Sequence, residues 1–257
     1  MVHISLAAER LFTLFGLHIS NSLFTSWIVV LLLILAALSG RRLRDAPGML
    51  QSGFELFYEG FLKTAQDIIG NERLAQEILP FVLTIFLYIL ASNWLGLIPG
   101  VGSLHLNIGN EAIPLFRAPT SDLNTVLALA ICTVVYVQYM GIKQLGLGSY
   151  LSKFFTVKSP LDAIVGLQEF ISELTRVISF SFRLFGNIFA GEVMITVVIS
   201  LTSSFLPFIP VLPLPFYILE VGVGLIQAFV FAFLAILFIG IAVTPHGNHN
   251  EAQLAEA

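Results

Sequence analysis

The run from Leu161 to Thr202 constrains this chain most, because it is apolar over most of its length and holds no proline. As a helix, about 42 residues at 1.5 Å each reach roughly 63 Å. The hydrocarbon core of a bilayer is only about 30 Å thick. Such a run either breaks or lies strongly tilted across a membrane. The run from Leu214 to Thr244 would be about 46 Å long and poses the same problem. Pro207, Pro210, Pro213 and Pro215 cluster where the two runs join, so they read as a hairpin. A long tilted hairpin suits a surface that follows the curve of another body.

Three further runs, residues 23–39, 78–98 and 123–142, are long and apolar enough to span. Lipid must be the main solvent: the chain is 57% hydrophobic and 11% charged, against roughly 25% charged in a soluble domain. The reading is an all-α polytopic membrane protein, residues 1–257 forming one integral membrane domain with about five spanning segments. A net charge of -4 gives no argument for nucleic acid. The single cysteine, Cys132, excludes an intrachain disulfide or a cysteine metal cluster. Met1 to Ser22 lacks a basic start and carries His3, Glu9, Arg10 and His18, so it reads as an amphipathic lead-in rather than a cleaved signal.

Orientation follows from the basic residues. Arg41, Arg42 and Arg44 close the first span and place that end in the cytoplasm, with the N-terminus outside. Residues 48–76 carry Phe54, Phe57, Phe61, Ala65, Ile68 and Ile69 at helical spacing between charged residues, the pattern of an amphipathic helix on the cytoplasmic face. The next span runs outward to Asn93-Trp94, residues 99–122 form an external loop, and the following span returns toward Lys143, Lys153 and Lys158. The tail from His246 is then cytoplasmic. No internal repeat is evident, which argues against the duplicated plan of many transporters.

Ionisable residues inside membrane segments are costly and mark function. On the 161–202 helix, Glu169, Ser172, Arg176, Ser179 and Asn187 fall within roughly 40° of Arg183, with Glu173 at about 80°. A polar stripe of this length resembles one wall of an aqueous path. Arg183 lies among Phe180, Phe182, Leu184 and Phe185, and it keeps its proton at any accessible pH. Two readings are open for it: pairing with a Glu of its own chain, or a fixed charge facing a partner's carboxylate. Glu220 and Gln227 share a face of the last helix, with Gly222 and Gly224 between them permitting close approach. The hairpin brings Glu192 and Glu220 to similar depth, either as a relay or as hydrated charges near the helix ends. Asp122 heads the fourth span as a path residue or as a helix N-cap.

The stretch Ser181-Phe182-Arg183-Leu184-Phe185-Gly186-Asn187-Ile188-Phe189-Ala190-Gly191-Glu192 resembles the signature of the F-type ATP synthase a subunit. Asn93-Trp94-Leu95-Gly96-Leu97-Ile98-Pro99, Pro119-Thr120-Ser121-Asp122-Leu123-Asn124, Leu225-Ile226-Gln227-Ala228-Phe229 and the opening His3-Ile4-Ser5-Leu6-Ala7 support the resemblance along nearly the whole chain. It implies that Arg183 faces the ion-carrying carboxylate of a c-ring. It implies an external half-channel at Asn187, Glu192, Glu220 and Gln227, and a cytoplasmic one at Glu169 with Ser172, Glu173 and Ser179. It also implies a b-subunit peripheral stalk, a bacterial plasma membrane, a translocated proton, and no cofactor, metal or catalytic site of its own. Two departures stand out: Val177 occupies a position where many members have Pro, and Glu220 one where several carry His. A self-contained cation–proton antiporter is the alternative reading, expected to show more spans and inverted repeats. An intramembrane hydrolase fits poorly, since His105, His246 and His249 lie in a loop or the tail.

Overall fold

Gly70 and Asn71 settle where the surface helix stops and the second span begins. Gly70 takes the left-handed φ of 68° and closes one helix. Asn71 caps the next by accepting from the Leu74 N–H at 3.2 Å. In the computed structural model, which describes residues 8–14, 16–39, 49–98, 104–108, 111–152, 160–205 and 211–244, α1 is Asn21–Ser39 and α2 is Met49–Ile69. Then follow α3 (Glu72–Leu97), α4 (Leu123–Leu145), the short α5 (Leu147–Ser152), α6 (Pro160–Phe205) and α7 (Leu214–Val243). The surface helix thus ends at Ile69, and residues 72–77 belong to the spanning helix. Among the described residues, five helices (α1, α3, α4, α6 and α7) are long and apolar enough to cross a membrane. Arg41, Arg42, Arg44, Lys153, Lys158, Pro207, Pro210 and the tail from residue 245 lie outside the described residues.

Two small hairpins add to this helical body. Within the stretch read as a lead-in, strands β1 (Arg10–Leu14) and β2 (Leu17–Ser20) pair antiparallel, with Gly16 at φ 81° between them. Within the 99–122 loop, β3 (His105–Ile108) pairs antiparallel with β4 (Glu111–Pro114). Both hairpins meet at Asn21, whose backbone donates to Glu9 O at 3.0 Å and whose side chain donates to Pro114 O at 3.3 Å.

The core is centred on α3 and α7. Their buried residues recur every three or four positions: Ile78, Val82, Phe86 and Ile89 on one, Ala228, Phe231, Ala235 and Ile239 on the other. Glycine permits the closest approaches. A Cβ at Gly224 would lie 3.1 Å from Asn93 Cβ, and one at Gly240 would lie 2.9 Å from Ile68 Cγ2. Helix α2 crosses this pair with Phe57 and Phe61, whose rings sit 4.9 and 5.0 Å from Phe86.

Helix α6 is one unbroken helix of 46 residues, about 69 Å at 1.5 Å per residue. With Val rather than Pro at 177, no backbone donor is lost, and Val177 O also accepts Ser181 Oγ at 2.8 Å. Phe180, Leu184, Ile188 and Ile195 make its buried face. Only 22% of its most apolar window is buried, against 50% for α7. Most of α6 therefore stands open.

Candidate functional site

The buried face of α6 is small and tight where it meets α7 at Gly191. A Cβ there would overlap the Glu220 carboxylate, so Glu220 lies directly on the α6 backbone, level with Glu192. Glu220 is 3% exposed, and its Oε1 has no hydrogen-bond partner among the described residues. An unsatisfied carboxylate oxygen in such a place is costly.

Glu192 looks elsewhere. Its Oε2 is 3.8 Å from Arg117 Nε, while its side chain remains 42% exposed. Arg117, from the stretch after β4, is 8% exposed. Bonds that hold it in place include Nε donating to Ser121 Oγ at 3.0 Å, Nη2 to Ser121 O at 3.4 Å, and its backbone N–H to Thr25 Oγ1 at 3.2 Å. The carboxylate pair expected from sequence is therefore a trio, Glu220, Glu192 and Arg117.

Asn93 extends this buried polar region toward α3. It accepts from Thr120 Oγ1 at 2.6 Å and donates to Gly224 O at 3.0 Å, while Trp94 Nε1 donates to Val221 O at 3.2 Å. Asp122 accepts from the Asn124 N–H at 3.1 Å as the N-cap of α4. Its carboxylate is thus engaged in capping, at the edge of this region.

Midway along α6, Asn187 Nδ2 donates to Gln227 Oε1 at 2.8 Å and ties α6 to α7. Arg183 projects from the open side of the helix and reaches Ser179 Oγ at 3.4 Å. Among the described residues, no carboxylate lies within 4 Å of its guanidinium. The own-chain pairing left open by the sequence is absent there.

Toward residue 169, the polar stripe borders a cleft of about 420 Å³ lined by Ser172, Thr175, Arg176, Ser179, Phe180, Arg183, Leu234 and Phe238. Arg176 pairs with Glu173 at 2.6 Å and lies 4.5 Å from the centre of the Phe238 ring. Glu169 is half-buried one turn beyond Ser172. Tyr150 of α5 closes the end of the region: it is 3% exposed, donates to Gln138 Oε1, and packs where a Cβ on Gly141 would overlap its ring. Burial, reinforced by the negative field of Glu173, pushes its hydroxyl up to about 12.

Arg117, Asn93 and Tyr150 are the site neighbours that sequence reasoning did not assign. Arg117 carried a usable signal, a basic residue between Phe116 and Ala118-Pro119 in a loop placed outside, against the usual charge bias. Nothing in the spacing pairs it with Glu192, 75 residues away.

Comparison with known proteins agrees along the chain. The family model described as ATP synthase A chain matches residues 23–240. "ATP synthase subunit a" of Gloeobacter violaceus is 37% identical over 232 residues, covering 90% of this chain and 86% of the relative. The protein of the same name from Campylobacter fetus is 34% identical over 233 residues, covering 90% and 94%. That from Moorella thermoacetica is 35% identical over 238 residues, covering 92% and 97%.

Proposed function

The chain belongs to the ATP synthase A chain family, and on that premise we propose that α6 and α7 form the stator wall past which a c-ring carries protons. It is a multi-pass membrane subunit of ATP synthase, a proton-translocating component rather than a catalytic one. Family membership and the absence of a visible repeat leave the antiporter reading without support. The finer assignments concern the residues and the direction of travel.

The observation that carries the reading is Arg183, exposed on α6 with no described carboxylate within 4 Å, between a closed polar region at Glu192 and an open cleft at Ser172. A proton from outside passes by Glu192 and Glu220 and neutralises a ring carboxylate. The neutral carboxyl group can rotate into lipid, whereas the anion would incur the desolvation penalty. After nearly a full turn the carboxyl group meets the open cleft and releases its proton toward Glu169, with Ser172, Ser179 and Glu173 alongside. The bare carboxylate then passes Arg183. At about 4 Å and an effective dielectric near 20, their attraction is about 4 kcal/mol, enough to favour ionisation without locking the ring. Because Arg183 does not give up its proton, it also blocks a direct relay between the two paths.

This reading places the N-terminus outside, residues 41–76 and the C-terminal tail in the cytoplasm, and the subunit in a bacterial plasma membrane beside a b-subunit stalk. Purification in mild detergent tests the partners: the chain is expected to bring down a c-ring and other synthase subunits. A chain that purifies alone and still exchanges cations for protons in liposomes would overturn the assignment.

A further inference from the structure

We propose that Arg117 is a positioning residue for proton uptake: it holds the Glu192 carboxylate at the outer mouth, one residue along α6 from the Gly191 backbone on which Glu220 lies. This rests on the reading of Glu192 as the outer acceptor. Three observations carry it. Arg117 is 8% exposed, and its Nε lies 3.8 Å from Glu192 Oε2, a buried oxygen with no hydrogen-bond partner among the described residues. The guanidinium is fixed through Ser121 Oγ and O, and its own backbone through Thr25 of α1. The rest of the Glu192 side chain stays 42% exposed. One carboxylate oxygen is thus pinned toward a permanent cation while the side chain keeps access to the path.

Among the described residues, Glu220 comes from α7 against Gly191, Arg117 from the stretch before the Pro119–Ser121 turn, and Asp122 follows that turn as the cap of α4. Arg117 is the only cation among these three. Without it, the buried Oε2 of Glu192 would lose the cation beside it, next to a Glu220 carboxylate that is itself buried, and removing one partner of such a pair is costly. An arginine suits the task because it never becomes a proton carrier itself. It fixes where a proton lands without offering a bypass.

The test measures assembled complex, and passive proton conduction in membranes stripped of the catalytic sector. Arg117→Gln is expected to assemble and to conduct about tenfold less, the scale of losing one charge-assisted contact. Arg117→Lys is expected to keep most of the conduction, because it keeps the charge. Arg117→Gln with Glu192→Gln is expected to conduct no worse than Glu192→Gln alone. Wild-type conduction in Arg117→Gln overturns the proposal, and so does a Lys variant as slow as the Gln variant. Should Arg117→Gln fail to assemble, recovery of the complex on adding Glu192→Gln supports an uncompensated carboxylate as the cause, and failure of the double variant overturns it. If Glu192→Gln itself conducts normally, the assignment of Glu192 fails, and the proposal with it; if only Arg117→Gln conducts normally, the proposal fails alone.

Discussion

Around Glu192 and Glu220, the polar side chains are buried and held by bonds the chain makes with itself. Around Ser172 and Arg183, they stand along an open cleft. Both regions lie on α6, and the helix is continuous between them. At the closed end, Asn93, Thr120, Ser121, Arg117 and Thr25 link α1, α3, α7 and the 117–121 stretch. At the open end, the contacts run mainly along α6 itself, as Arg176 to Glu173 and Arg183 to Ser179. The difference teaches where this subunit is complete. On the proposed function, one half of the path would be enclosed by the chain's own residues, and the other would be a half-wall for a second body to finish.

Arg183→Ala would break the comparison at its centre. The bare ring carboxylate loses its counter-charge, so ATP synthesis is expected to vanish while the complex still assembles and passive proton leak rises. Arg183→Lys is expected to fail nearly as badly, since an ammonium facing the ring away from water can deprotonate, whereas a guanidinium does not. Synthesis rates measured in membrane vesicles check both. Wild-type rates in the alanine variant would sink the mechanism.

Substitutions at Glu220 come next. Glu220→Gln removes the buried proton seat but keeps its shape, so proton uptake is expected to slow and its pH dependence to change. Glu220→His is expected to retain substantial activity, because an imidazole can also bind and release a proton near neutral pH. Proton-pumping rates across a pH series distinguish the two. Identical profiles for wild type and Glu220→Gln would reduce this carboxylate to a group that keeps the mouth wet.

Much of this plan was legible in the chain. Apolar length and the missing proline marked α6 and α7, and helical phase put Glu169, Ser172, Ser179, Arg183 and Asn187 along one side. The depth of Glu192 and Glu220 followed from folding the hairpin, and Gly191 against Glu220 sets them level. What was not legible was set by tertiary contact. The strands of the two hairpins are four or five residues long, too short for alternation to show above the background of a lipid-rich composition. The end of α2 depended on Gly70-Asn71, a stop-and-cap signal masked by continuing amphipathic spacing. Arg117 meets Glu192 because the 117–121 stretch packs beside α6, and no local pattern records such a contact.

A smaller effect sharpens the contrast between closed and open ends. Asn93→Ala leaves the Thr120 hydroxyl and the Gly224 carbonyl without their shared partner. A cost of about 1–3 kcal/mol is expected for such buried polar groups. Ser179→Ala on the open stripe is expected to stay within about 0.5 kcal/mol. Denaturant unfolding of the purified complex in detergent measures both. Equal losses would remove the distinction between an enclosed half and an unfinished one.

The weakest expected effect concerns Tyr150, an enclosed polar residue at the open end. Burial first, then the fields of Glu173 and Glu169, raise its hydroxyl to about 12, with Arg176 partly offsetting them. An unfolded tyrosine ionises near about 10. The folded chain therefore holds this proton more tightly than the unfolded one, and the resulting stability is fully present below about pH 10. It is lost as pH rises toward about 12, where the folded hydroxyl also ionises and its bond to Gln138 Oε1 fails. Tyr150→Phe keeps the ring against Gly141 but has nothing to ionise. Below pH 10 it is expected to be less stable than wild type by about 1 kcal/mol, the value of one hydrogen bond. Between about pH 10 and 12 that gap is expected to close and then reverse, because ionisation of the unfolded wild-type tyrosine draws the chain toward unfolding while the phenylalanine variant has nothing to ionise. Thermal unfolding of both proteins across that pH range reads the crossing directly. A constant offset would mean that the hydroxyl ionises alike in the folded and unfolded chain, and that Tyr150 is not enclosed at this end of α6.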